Sequence, residues 1–138
     1  MSVSYRILKS LGIVYVRYQG TIRIREGMEL FAEYAQHSDC RPGQKQFVDL
    51  SEVTDIERDY SKLMEMQAMK TDVFLAGGTQ PIIIYFAPTD TARAMAAMII
   101  KSWEPFSAVV PLIIEDEAEA LNILGLEEQS IAQLLTAA

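Results

Sequence analysis

The chain reads as a single α/β domain, with a mixed sheet made of an N-terminal hairpin, a parallel centre and packed helices. Three features predict this. Two β-branched and aromatic runs, residues 5–8 and 13–18, flank Leu11-Gly12, as in a tight hairpin. Pro81-Ile82-Ile83-Ile84-Tyr85-Phe86 is continuously apolar, the pattern of a strand covered on both faces and usually parallel. Strand and helix patterns then alternate in the order β-β-α-β-α-β-α-β-α-α, whose right-handed crossovers lay helices over the sheet. Without an internal repeat or a linker-like stretch, residues 1–138 form one domain.

The elements follow in order. Gly20 ends the second strand, and Ile24, Met28, Phe31 and Ala35 then recur at helical spacing. Glu26 and Glu29 sit near the start of that helix, where its dipole favours anions. Gly27 weakens its first turn by up to about 1 kcal/mol relative to Ala. The helix should stop by Ser38, before Arg41-Pro42-Gly43. Residues 46–50 are a third strand, followed by a loop over 51–58. Asp59 is an N-cap for a helix over residues 60–74, whose Leu63, Met64, Met66, Met69 and Val73 fit no single narrow stripe. After the strand at 81–86, Thr89 or Asp90 caps a helix to Trp103 with Ala92, Met95, Ala96, Ile99 and Trp103 on one face. Pro111 puts the strand at 108–114 at an edge or a bulge. Asp116 caps a short helix through Leu124, Gly125 stops it, and a last helix covers 127–135.

Composition narrows the function classes. Twelve Lys and Arg against nineteen Asp and Glu give a net charge of −7, which disfavours a general nucleic-acid binder because few cations are left to neutralise phosphates. No apolar run is long enough to cross a bilayer, the N-terminus does not read as a signal peptide, and one cysteine makes no internal disulfide. A reducing cytoplasm is the expected compartment. Cys40 and the only histidine, His37, lack a third soft ligand nearby, so neither a zinc site nor a histidine-based triad is expected. Gly77-Gly78 is an isolated pair and reads as a turn, not a phosphate cradle. Five basic residues and no acid lie between Met1 and Arg25, and seven acids with no Lys or Arg lie from Glu104 onward. The favoured account is that the two ends neutralise each other. The alternative is self-association or an electrostatically matched partner.

Ligands of open α/β sheets lie beyond the carboxyl ends of parallel strands, which selects the loops at 51–59 and 87–91. The candidate partner- or ligand-binding residues there are Asp49, Ser51, Thr54, Asp55, Asp59, Tyr60, Ser61, Thr89 and Asp90. Asp49, Asp55 and Asp59 also admit a Mg²⁺ site or an acid–base pair. The plainer account makes Asp55 and Asp59 caps and has Asp49 hydrogen-bond the loop backbone. Met64, Met66, Met69, Met95 and Met98 either line an adaptable apolar groove or fill a core, with core the favoured reading. The apolar breadth of the 60–74 helix calls for a second buried face, which a homodimer would supply.

Phe47-Val48-Asp49-Leu50-Ser51-Glu52-Val53 resembles the strand and loop of the STAS domain, found in sulfate transporters and anti-sigma-factor antagonists. The whole chain is similar to the bacterial SpoIIAA-like family, itself related to CRAL-TRIO lipid-transfer domains. Gly20-Thr21-Ile22 before the first helix and Glu115-Asp116-Glu117-Ala118-Glu119-Ala120-Leu121 add to the likeness. The resemblance implies a STAS-like fold and a non-enzymatic regulatory or protein-interaction domain. It does not carry over a phosphoserine, because Asp55-Ile56-Glu57-Arg58-Asp59-Tyr60-Ser61 stands where such antagonists have an Asp-Ser-Ser-Gly-like run. The expectation is a homodimeric cytoplasmic domain without cofactor or metal, binding a protein partner through its loops. The alternative is a carrier or sensor of a small apolar or lipid ligand, and an enzyme using loop carboxylates is the least favoured.

Overall fold

The computed structural model describes residues 2–127 and 130–137. Strand β1 (Val3–Leu8) pairs antiparallel with β2 (Ile13–Ile22). Strands β3 (Lys45–Ile56), β4 (Ile82–Phe86) and β5 (Val110–Ile114) continue the sheet parallel to β2, in the spatial order β1-β2-β3-β4-β5. The helices are α1 (Ile24–Gln36), α2 (Tyr60–Ala76), α3 (Asp90–Trp103), α4 (Glu117–Ile123) and α5 (Ile131–Ala137). The mixed sheet, its hairpin and its parallel centre are therefore as the sequence predicts. Between β1 and β2 the chain makes a 3₁₀ turn at Lys9–Leu11. Gly12 closes it at φ +66°, in the left-handed region that a residue without Cβ enters at little cost.

Each β-α-β unit steps one strand further in the same direction. Crossovers of one hand must then place their helices on one face. Accordingly α1, α2 and α3 cover a first face, with Val14, Val16, Val48, Leu50, Ile83 and Tyr85 beneath them. Helices α4 and α5 cover part of the opposite face, over Ile13, Tyr15, Phe47, Ile84 and Phe86. The alternation along β2 and β3 thus feeds two cores, as a strand with side-chain period two can. The predicted stripe of α3 is buried at every position from Ala92 to Trp103. Trp103 donates from Nε1 to Tyr85 Oη at 2.8 Å, so its one polar atom is satisfied inside the core.

Helix α2 lies between α1 and α3 on the sheet. Leu63, Met66, Gln67 and Phe74 are buried, and Met69 and Val73 pack against the same core. Leu63, Met66, Met69 and Val73 thus find their partners in this core, whereas Met64 is half-buried outside it and Tyr60 and Leu75 are exposed. Met95 is in the core as well, whereas Met98 is half-buried at the surface.

Two expectations need correction. The region after Leu50 is not a loop: β3 continues to Ile56. From Arg17↔Asp49 to Ile22↔Ile56, β2 advances five residues (22 − 17) while β3 advances seven (56 − 49), with register shifts at two places. These are β-bulges, each adding one residue to β3. They bring Leu50, Val53 and Ile56 onto one buried face at intervals of three, a spacing that does not look like a strand. Gly20, at φ +68°, stands in β2 beside the second shift. The last helix begins at Ile131, not 127: Glu127 is outside it, and residues 128 and 129 lie outside the described residues.

Three cations of the basic N-terminal stretch meet carboxylates that lie outside the acidic C-terminal one. Among the described residues, Lys9 pairs with Asp39, Arg17 with Glu52 and Arg25 with Glu29. Arg6 does reach the far end of the chain, donating to the Leu135 carbonyl at 3.1 Å. Exposed pairs of this kind are worth about 0–1 kcal/mol each.

Candidate functional site

The strand order never reverses across β2 to β5, so the sheet has no switch point to open the crevice in which such folds usually hold ligands. The rim at the carboxyl ends of the parallel strands is instead a row of capped helix starts. Asp59 accepts from Lys62 N at 3.0 Å and begins α2. Thr89, not Asp90, caps α3, accepting from Ala92 N at 3.0 Å. Asp116 caps α4, accepting from Glu119 N at 2.9 Å. Each cap satisfies a backbone donor that the helix itself leaves free.

The remaining predicted residues spread over three surroundings. Asp55 is exposed near the end of β3, accepting from Ile56 N and pairing with Arg58 at 3.2 Å. Thr54 is exposed and Ser51 half-buried, both within β3. Asp90 pairs with Arg93, which also holds Glu115 at 2.6 Å, tying the start of α3 to the end of β5. Ser61 is exposed on the first turn of α2. Tyr60, 41% exposed, borders a shallow surface groove with Asp59, Leu63, Ala97, Met98 and Lys101.

Asp49 belongs elsewhere. It is buried on the face shared with α4, where Tyr15 Oη donates to Oδ2 at 2.5 Å and Ser51 N donates to Oδ1 at 2.9 Å. Burial, and then the hydrogen bond to Asp49, raise the Tyr15 phenol far above its ordinary value. Both carboxylate oxygens are thereby engaged within the strand pair. Asp49, Asp55 and Asp59 do not converge on a common point: each is held by its own local partner. His37 Nδ1 accepts from Asp39 N at 2.9 Å, and among the described residues no three His, Cys, Asp or Glu side chains gather as metal ligands would.

A partly enclosed feature lies at Met66, which the sequence offered for either an apolar groove or a core, and it adds polar residues that were not named there. A cavity of about 40 Å³, partly open to solvent, sits between α1, α2 and the first face of the sheet. Tyr18, Gly27, Phe31, Met66, Gln67 and Lys70 are among its lining residues. Gly27 lets α1 approach so closely that a Cβ there would stand 2.7 Å from Tyr18 Oη and 3.1 Å from Met66 Sδ. Lys70 Nζ lies 5.7 Å from the centroid of Phe31. Burial alone lowers the Lys70 ammonium to about 8 and, with Glu26 contributing, raises the Tyr18 phenol to about 12. Gln67 is fully buried, and its Nε2 donates to Ser102 Oγ at 3.0 Å while its Oε1 has no partner among the described residues. Sequence gives only their spacing: Gln67 and Lys70 lie three apart on α2, among other polar residues of that helix.

Searches against protein-family models and against curated proteins find no match to this chain.

Proposed function

We propose that this chain is a non-enzymatic, STAS-like regulatory domain of the cytoplasm that binds a protein partner through the rim at the carboxyl ends of β3 and β4. The observation that carries this reading is how the rim's polar groups are used. Asp59, Thr89 and Asp116 cap helices, and Asp55 and Asp90 are held by arginines. The rim therefore offers a rigid edge of paired charges beside the Tyr60–Met98 groove, whose lining carries Glu57 and Asp59 together with Arg58 and Lys101. An exposed tyrosine next to an adaptable methionine is the kind of anchor that recognition surfaces favour. A partner suited to it presents an apolar side chain flanked by charges of both signs. The test is co-purification from the native cytoplasm with Asp55→Lys, Tyr60→Ala and wild-type baits. Specific partners should be lost by the folded variants. Retention of all of them by both variants would remove the rim from consideration.

Self-association belongs to the same proposal. Strand β5 is a sheet edge of five apolar residues, none of them buried and Val110 38% exposed. Edges of that kind are prone to pair with another copy. Sedimentation of the wild-type chain and of Val110→Lys tests this, with a dimer expected only for the former.

A second reading, a carrier or sensor of a small apolar molecule, is favoured by one observation: the mainly apolar cavity beneath α1 and α2, with Lys70 and Gln67 among its lining residues.

A further inference from the structure

We infer that the Lys70 amine, at the wall of the cavity between α1, α2 and the sheet, is a site of reversible imine formation with a small aldehyde of about two or three carbons. This deepens the second reading above and rests on it, with a guest that is captured covalently.

The surroundings of the amine carry the assignment. The cavity walls are mainly apolar, with Val16, Leu30, Met66 and Ile99 among them. Lys70 is half-buried, and its Nζ lies 5.7 Å from the centroid of Phe31, which lines the same cavity. Among the described residues no carboxylate pairs with it. A lysine set in apolar surroundings becomes a nucleophile, because those surroundings favour its neutral form. Burial brings this ammonium down to about 8. At pH 7.5 roughly a quarter of Lys70 then carries a free lone pair, against roughly one in a thousand of ordinary lysines. Tyr18 from β2 and Tyr85 from β4 are the other ionisable residues of the lining, and burial keeps both neutral. Among the described residues α1, α3 and β3 bring none.

The chemistry needs no further reagent. The Nζ lone pair attacks the aldehyde carbon, and the carbonyl π pair moves to oxygen. One proton passes from nitrogen to that oxygen, giving a carbinolamine. The hydroxyl then leaves as water with the second nitrogen proton, and the C=N bond forms. Water reverses each step.

Size and charge select the electrophile. The cavity holds about 40 Å³, room for roughly three waters. Acetaldehyde leaves two carbons on Nζ, which take roughly the room of two waters. Carbon dioxide is as small, but its adduct is an anion, and the lining offers no second cation among the described residues. Burying that charge unpaired is unfavourable, whereas a neutral imine is suited to apolar walls.

The experiment treats the full chain at pH 7.5 with limiting acetaldehyde and cyanoborohydride, which reduces each imine to a stable ethylamine. Peptide mass spectrometry then reads every lysine of the one chain. Lys70 should be ethylated faster than Lys9, Lys45, Lys62 and Lys101 by at least about tenfold. Pivalaldehyde, whose tert-butyl group exceeds the cavity, should show no such preference. A preference for Lys70 with both aldehydes would overturn the placement of the adduct in the cavity. In a second arm, α1 and α2 amide shifts are followed by NMR under xenon, an unreactive apolar guest. Equal ethylation of all five lysines together with xenon shifts would overturn the imine and leave the apolar-ligand reading. Equal ethylation without xenon shifts would overturn both.

Discussion

Lys70 Nζ lies 5.7 Å from the ring centroid of Phe31, and no carboxylate stands against it among the described residues. The protein thus holds a cation in apolar surroundings, with a ring face as its main attraction. Folding disfavours that charge, which is why the group falls from 10.5 to about 8.

The sign of the consequence follows from linkage. Below pH 8 the folded chain must keep Lys70 charged where it is poorly solvated, so the residue costs stability there. The cost fades between pH 8 and 10.5, as the folded form releases a proton that the unfolded form still binds. Lys70→Met should therefore be more stable than wild type by about 1–2 kcal/mol at pH 6.5, allowing for the partial exposure of the side chain. The difference should shrink toward zero above pH 10.5. Urea unfolding of both chains at the two pH values checks it, and an equal or larger gain at high pH would contradict the account.

Tyr85→Phe removes the acceptor of Trp103 Nε1 and leaves that donor unpaired in the core. A loss of about 1–3 kcal/mol is expected. Trp103→Phe in the Tyr85→Phe background should cost less than in wild type, since the orphaned N–H goes with it. A double-mutant cycle in denaturant measures the coupling.

Asp49→Ala leaves two donors, Tyr15 Oη and Ser51 N, without their acceptor. Stability should fall by about 2–4 kcal/mol. Partner capture by the remaining folded protein should be unchanged, because Asp49 faces α4 and not the rim. Loss of capture with unaltered stability would reverse this assignment.

Gly27→Ala puts a methyl 2.7 Å from Tyr18 Oη and 3.1 Å from Met66 Sδ. The helix-propensity gain of about 1 kcal/mol is then offset by displacement of a ring that is itself packed on the sheet. The net effect should be destabilising by about 1 kcal/mol, with a lower melting temperature.

Much of the framework is legible in residue order. The continuous run at 82–86 does become an inner parallel strand, Asp59 and Asp116 do cap helices, and Pro111 does sit on an edge strand. Each of these depends on backbone chemistry within a few residues of the signal. The second half of β3 was hidden for a related reason. Two bulges shift its apolar residues to a spacing of three, and Ser51, Glu52, Thr54 and Asp55 are the residues that also make loops.

The proposed sites divide along the same line. Asp59, Tyr60 and Thr89 can be placed at helix starts from sequence alone, because capping is local. That Asp49 faces Tyr15, and that Lys70 and Gln67 border one cavity, could not be read there. Their partners come from β2, α1 and α3, dozens of residues away.

Residue order by itself determined an α/β chain, its element types and most of its caps, since hydrophobic period and capping act over a turn or a strand. Only the tertiary structure decided that three consecutive crossovers lie on one face and that the sheet has no reversal in strand order. It also decided that α2 sets the Lys70 ammonium over the Phe31 ring. Those outcomes depend on contacts between distant segments, whose geometry is set when the two faces of the sheet are packed and not by any short stretch of chain.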